Sequence, residues 1–312
     1  MTPSSQAQGA RVAILLCTYN GEKYLGAQLE SIERQQHRNW VLWISDDGSC
    51  DGTLALLQAF MRRHPCGRVN LKEGPRQGFA ANYMSLVQCD DIDADFIAFC
   101  DQDDIWLPHR LSDAVAGLAA IPDGTAALYC GRTEYIDARD RPLGRSRIPD
   151  SFGLETALAQ NVCAGNTMLL NRQARSLLLR VSPGHTVAHD WLSYLVVSAS
   201  GGVVLFDPCI AVQYRQHKGN SLGENRSFKA RLNRIKRLCM GDLRVWTSAN
   251  LAALGQVKEF ITPRNRDVLR HFAAARTGAP WQKLANLNAS GVRREGAIQN
   301  LAFRGAFLAG LV

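Results

Sequence analysis

The feature that most constrains this chain is a repeated unit. A nearly unbroken apolar run leads into a polar turn, and an apolar pattern at helical spacing follows. The first run, Val12-Ala13-Ile14-Leu15-Leu16-Cys17, ends in Thr18-Tyr19-Asn20-Gly21, and Tyr24, Leu25, Leu29 and Ile32 then recur with a helical period. The second, Trp40-Val41-Leu42-Trp43-Ile44, ends in Ser45-Asp46-Asp47-Gly48-Ser49, ahead of Leu54, Leu57 and Phe60. A third short run at Val69-Asn70-Leu71 leads into Gly74-Pro75-Arg76-Gln77-Gly78-Phe79 and a helical stretch over 80–89. A fourth, Phe96-Ile97-Ala98-Phe99-Cys100, meets Asp101-Gln102-Asp103-Asp104. Strands that are apolar at every position are buried on both faces, as in parallel sheets. Alternation with helices predicts an α/β fold with helices on the sheet faces. Ligands of such sheets bind beyond the carboxyl ends of the strands, where all four polar motifs fall.

The acidic turn adds chemistry. Asp101, Asp103 and Asp104 crowd together, and close carboxylates repel unless a cation stands between them. Mg²⁺ commonly binds through one or two carboxylates plus the oxygens of a substrate phosphate. The cluster therefore reads as a metal-assisted site for a phosphorylated substrate, or else as an acidic turn. A nicotinamide-type oxidoreductase is excluded, because the first turn lacks G-x-G-x-x-G.

With 46% hydrophobic and 21% charged residues, the 312-residue chain is a folded protein with one large core or two smaller ones. No run approaches the roughly 18 apolar residues of a membrane span. Residues 1–10 are polar, read as a disordered lead, and lack the pattern of a secretory signal. The nine cysteines are odd in number and contain no C-x-x-C. Several, such as Cys17, Cys100 and Cys130, sit in apolar runs as small hydrophobes. This argues against disulfides or zinc and for a reducing cytoplasm.

The net charge of +8 is uneven: residues 226–312 carry sixteen Lys/Arg and four Asp/Glu, which leaves the first 225 residues mildly acidic. Such a tail suits an anionic surface. Phe228, Leu232, Ile235 and Leu238 share one helical face among Lys229, Arg231, Arg234, Lys236 and Arg237. This reads as a peripheral membrane helix, or as a helix packed on the catalytic domain with a solvated basic face. The apolar stretch 301–312 is too short to span and suits a membrane surface or a partner. The tail lacks interleaved aromatics and any known nucleic-acid module, so no nucleic-acid partner is expected.

The four strand-end motifs, continued as Gly78-Phe79-Ala80-Ala81-Asn82 and Ser45 to Thr53, together resemble the ordered signatures of family-2 glycosyltransferases over about residues 11–220. The resemblance implies the A-type fold, a Rossmann-like, mostly parallel sheet flanked by helices. The catalytic domain would span 11–224, with a nucleotide-sugar half at 11–107 and an acceptor half at 108–224. A basic helical C-terminal region would follow at 225–312.

It also implies roles. Thr18, Tyr19 and Asn20 would line the nucleotide pocket. Asp47 would accept a hydrogen bond from the imide N–H of uracil or thymine, with Asp46 able to exchange roles with it. The plainer reading of 46–53 is a turn with Asp51 or Ser49 capping a helix. Gly78, Asn82 and Gln102 join the nucleotide-sugar side, as does Arg76 unless it is a solvated surface residue. Asp103 would ligate Mg²⁺ or Mn²⁺, with Asp101 towards the ribose or the metal, while Asp104 and Trp106 shape the loop. Ala164-Gly165-Asn166-Thr167-Met168 would lie under the donor sugar. Asp190, in Ala188-His189-Asp190-Trp191-Leu192, matches the general base, although an N-cap reading stands beside it; His189 orients it or packs. In Tyr214-Arg215-Gln216-His217, Arg215 would hold the diphosphate through its planar fork. His217 would be a third metal ligand, a phosphate donor or a structural residue.

The expectation is an inverting, metal-dependent enzyme acting on a nucleotide-diphospho-sugar and a glycan or lipid-linked glycan acceptor. It would be cytoplasmic, with peripheral contact on the inner face of the membrane. The Asp101 to Trp106 and Tyr214 to His217 spellings look most like rhamnosyltransferases, which implies dTDP-L-rhamnose. UDP-hexoses are the runner-up. A sugar-nucleotide hydrolase or non-catalytic binding protein is the alternative that Asp190 discriminates.

Overall fold

The computed structural model describes residues 9–182, 184, 186–217 and 242–312. The basic segment read at 228–238 and the lead at 1–8 lie outside the described residues. One sheet of nine strands organises the chain, in the order β3-β2-β1-β4-β8-β6-β9-β5 with β7 beside β6. The strands are β1 (Val12–Thr18), β2 (Trp40–Asp46), β3 (Val69–Glu73), β4 (Phe96–Cys100), β5 (Ile105–Trp106), β6 (Ala127–Ile136), β7 (Pro142–Arg145), β8 (Leu169–Asn171) and β9 (Val203–Arg215). β3, β2, β1 and β4 are mutually parallel. β8 is antiparallel to both β4 and β6, so β6 and its parallel partner β9 run with the first four. The expected mostly parallel sheet is present, with β5, β7 and β8 reversed.

Every residue of β1, β2 and β4 is buried. The two-residue strand period divides them between two cores. Ala13, Leu15 and Cys17 face one layer, while Val12, Ile14 and Leu16 face the other. The second layer is built from α1 (Glu22–Glu33), α2 (Thr53–Met61) and α4 (Arg110–Ala119). The first holds α3 (Phe79–Val87), α6 (Arg172–Leu178) and α7 (His189–Ala199); a one-turn α5 (Leu154–Ala157) lies beside α7.

The C-terminal helices α8 (Asp242–Gln256), α9 (Pro263–Ala275), α10 (Pro280–Ser290) and α11 (Ala297–Leu308) belong to the first core. Leu254, Phe272, Phe303 and Phe307 continue it without a break. These helices also hold α7 in place. Asn265 Nδ2 donates to the carbonyls of Ser198 and Ala199 at 2.9 Å each, and Trp246 meets Trp191 edge-on at 6.3 Å.

Register places the functional loops on one rim. Thr18 pairs with Asp46, Asp46 with Glu73, and Leu16 with Cys100, so four parallel strands end together. β5 then pairs with the end of β9, Ile105 opposite Gln213 and Trp106 opposite Val212. That pairing returns the Arg215 and His217 segment to the acidic turn across more than a hundred residues.

Candidate active site

The rim is held by side-chain hydrogen bonds to backbone, which fix loop shape without a ligand. Asp46 is the hub of the first two loops. It accepts from Thr18 Oγ1 at 2.7 Å, Ser49 Oγ at 2.6 Å, Ser49 N at 2.8 Å and Gly48 N at 3.2 Å. Its carboxylate is buried and committed to the loop, so the expected exchange of roles with Asp47 gives way to a structural role for Asp46. Asn20, at φ +47°, links the same loops: its N–H donates to Ser49 Oγ, and its Oδ1 accepts from Cys50 N. The cap position of α2 is Gly52, not Asp51 or Ser49; Asp51, one residue earlier, still accepts from the Thr53 and Glu22 N–H groups at the heads of α2 and α1.

Asp47 is only partly buried and organises the third loop. Its oxygens accept from Arg76 N at 2.6 Å and Gly78 N at 2.9 Å, where the backbone takes positive φ at both residues. Gly74 passes so close that a Cβ there would meet Asp47 Oδ1 and Asn82 Oδ1, each at 2.8 Å. Asn82 is buried and donates to Ser45 O. Arg76 is exposed, with its guanidinium over Gly48. Tyr19 is 58% exposed at the rim, its backbone gripped on both sides by the Gln102 amide.

The acidic turn separates its carboxylates by task. Asp104 is fully buried, accepting from Asn166 Nδ2 at 2.5 Å and Arg215 N at 3.2 Å. Burial pushes its carboxyl well above the usual range. This is the loop-shaping role expected of it, and it brings in Asn166 from the 164–168 segment. Trp106 is buried under the guanidinium of Arg110, which holds the Asn166 and Met168 carbonyls.

Asp101 and Asp103 are both only partly buried at the strand end. Burial pushes the Asp101 carboxyl up to about 7; the charge of Asp103 adds to this, and so, further off, does that of Asp190. Asp103 Oδ2 lies 2.7 Å from His217 Nε2, whose ring packs on Tyr24 at 4.8 Å. Two carboxylates and an imidazole suit Mg²⁺ or Mn²⁺, and the mutual repulsion of the pair is what a cation relieves. Among the described residues no group of three His, Cys, Asp or Glu side chains is placed to hold a metal ion by itself. The set therefore fits a metal that takes its remaining ligands from a diphosphate and water.

Arg215 departs from expectation. It is 2% exposed, and its fork is spent within the protein. Nε donates to Asp103 O at 2.9 Å, and Nη1 pairs with Asp140 and the Asp137 carbonyl. Its guanidinium lies over Tyr24 at 4.6 Å. The residue expected at a diphosphate instead ties the acidic turn to the β6–β7 hairpin. The reason is β5–β9 pairing, which draws Arg215 beneath the turn.

Asp190 lies in the first turn of α7; the cap position is Ala188. The positive end of the helix favours a carboxylate here. Burial nevertheless raises its carboxyl to about 6, against hydrogen bonds from Trp191 N, Gly165 N and the Asn161 side chain. Gly165 is required, because a Cβ there would meet Asp190 Cβ at 3.0 Å and His189 Nε2 at 2.9 Å. His189 packs: its ring stacks on Tyr83 at 3.7 Å and meets Phe99 edge-on at 4.5 Å. Burial lowers it to about 3, so it is neutral.

Tyr83 is a residue that its sequence context did not single out. Its hydroxyl lies 2.6 Å from both Asp101 Oδ1 and Cys100 O, while its ring supports His189, the neighbour of Asp190. Burial holds the phenol protonated, hence a donor. One side chain thus joins the acidic turn to the helix of Asp190. Tyr83→Phe keeps the stacking and removes the hydrogen bond. We expect turnover to fall about tenfold, with a raised metal requirement and near-native thermal stability, because outer partners of metal ligands typically matter by 10–100-fold. Assays of rate against Mn²⁺ concentration check this; an unchanged metal requirement would remove Tyr83 from the site.

The mostly parallel sheet with its acidic turn at the strand ends has the architecture of the A-type glycosyltransferase fold. Residues 13–175 match Glycosyl transferase family 2, and the chain belongs to that family. Asp190, Arg215 and His217 lie beyond the matched span. The dTDP-rhamnosyl transferase RfbG of Shigella flexneri is 27% identical over 233 residues, covering 70% of this chain and 78% of that protein. Among solved structures, the mannosyltransferase PcManGT of Pyrobaculum calidifontis, in complex with GDP-Man and Mn²⁺, superposes with a TM-score of 0.53 at 17% identity, covering 94% of this chain and 87% of that one. S. aureus TarS 1-349 in complex with UDP-GlcNAc gives 0.53 at 14% identity, covering 90% and 89%.

Proposed function

We propose that this glycosyltransferase moves L-rhamnose from dTDP-L-rhamnose, with inversion, to a hydroxyl of a lipid-linked or growing surface polysaccharide on the cytoplasmic side of the membrane. The observation that supports the reaction type is the link from the acidic turn to the helix of Asp190, in which the Tyr83 hydroxyl meets Asp101 Oδ1 while its ring stacks on His189, beside Asp190. Similarity to the Shigella enzyme supports the rhamnosyl donor.

In this reading the base rests at the Asp46–Asp47 loops, with Asp47 accepting the imide N–H. The same contact suits uracil, so a UDP-hexose is the second reading. Asp101, Asp103 and His217 would hold Mg²⁺ or Mn²⁺ on the diphosphate, and such an ion stabilises the charge that builds on the leaving group. Asp190 takes the proton of the acceptor hydroxyl as its oxygen bonds to the anomeric carbon. The carbon–oxygen bond to the diphosphate breaks on the opposite face, and dTDP leaves. A carboxyl near 6 is ionised at neutral pH yet basic enough to accept a proton.

The test is a donor screen with a lipid-linked glycan acceptor, measuring nucleoside diphosphate release with Mn²⁺ or with EDTA. Release from dTDP-L-rhamnose that needs both acceptor and metal is the expected result. Release from UDP-glucose or UDP-galactose alone overturns the donor assignment. Acceptor-independent release from any donor indicates a hydrolase instead.

A further inference from the structure

Helix α11 is apolar on two sides. Phe303 and Phe307 enter the core, whereas Ile298 is 85% and Leu301 72% exposed, and Leu308 is 40% exposed. Ala302, Gly305 and Ala309 share that outward side, so its small residues do not interrupt the apolar stripe. A helix that is apolar all round is normally buried, and nothing among the described residues covers this face. Among the described residues no helix is long and apolar enough to cross a membrane.

The surroundings select the partner. The only charged residue within α11 is Arg304, and Arg293 stands exposed just before it. Glu295, the single acidic residue from 280 to 312, accepts from Asp150 N. Lys283 Nζ donates to Phe307 O, which sets the head of α10 beside the end of α11. That head carries Trp281, 70% exposed; Trp is favoured at membrane–water interfaces, where one part is apolar and the other wet. We infer that the outward face of α11, with Trp281 at its end, docks on an anionic lipid bilayer, seating Ile298, Leu301 and Leu308 among the acyl chains while Arg293 and Arg304 meet the headgroups. A second copy of this chain would bring like charge against like charge across the same face; an anionic bilayer supplies the complement.

This goes beyond the transferase reading, and its test contains no donor, acceptor or turnover, so the two stand or fall separately. The full chain is sedimented with vesicles of phosphatidylethanolamine containing 30% phosphatidylglycerol by choice, roughly an anionic inner-leaflet charge, and with phosphatidylcholine vesicles. Binding to the anionic vesicles is expected to fall about tenfold in I298E/L301E, since a buried apolar face drives such association, and to weaken with added salt. Both positions are exposed, so the variant should fold; circular dichroism and Tm verify it. Equal binding to neutral vesicles, or undiminished binding by I298E/L301E, overturns the assignment. A wild-type dimer that becomes monomeric in I298E/L301E without vesicle binding gives the face to a second copy and also overturns it.

Discussion

Asp190→Asn should lose turnover by about 10²–10⁴-fold while donor binding is retained, because the amide cannot take the acceptor proton. The wild-type rate should fall as pH drops through about 6, the value to which burial raises this carboxyl, and level off above it. Stability should move the other way. The native carboxyl titrates higher than an unfolded one, so the native state holds its proton more tightly. At neutral pH the ionised group therefore costs stability, and the cost vanishes below the unfolded value near 4. Asp190→Asn should melt no lower than wild type at pH 7.5 and gain nothing at pH 4. Kinetics with donor titration and melting at both pH values check this. A variant that melts far lower, or retains more than a tenth of the rate, would sink the base assignment.

Asp103→Ala should lose about two orders of magnitude or more, the rate equivalent of some 3 kcal/mol of leaving-group stabilisation. It should also lose its response to added Mn²⁺. The same substitution frees His217 from its 2.7 Å contact, while the loop stays anchored through Asp104 and its two donors. Folding should therefore survive, and the melting temperature serves as control. Turnover indifferent to EDTA in wild type, or a metal response intact in Asp103→Ala, would dismiss this residue as a ligand.

The fold was legible because burial on both faces of β1, β2 and β4 leaves little freedom in the sequence: every position must be apolar, and polar residues return only where the strand ends. The rim motifs followed from the same logic. What the motifs did not reveal was the division of labour between neighbours. Asp46 and Asp47 are adjacent and chemically equal, but the strand direction turns Asp46 inward to four donors and leaves Asp47 at the third loop. The surroundings of Arg215 are hidden for a related reason. Its partners, Asp103 O and Asp140, come together only through β5–β9 and β6–β7 pairing, which no local pattern encodes. Tyr83 was passed over because a single aromatic in a helix reads as core, and its ring is indeed core; only the hydroxyl belongs to the site.

The helix that carries Asp190 also has a far end. There Asn265 clasps the last carbonyls of α7, while at the near end Trp246 leans on Trp191, the neighbour of Asp190. Both clamps come from beyond the family-matched span, which stops inside α6 at residue 175. Under the role proposed for Asp190, a carboxylate that must meet an incoming hydroxyl is thus mounted on a beam whose stiffness is supplied from behind. A chain trimmed to the shared family segment would lose that beam along with its brace, and grafting a foreign C-terminal region would reset the aim of the base without touching a single residue of the donor pocket.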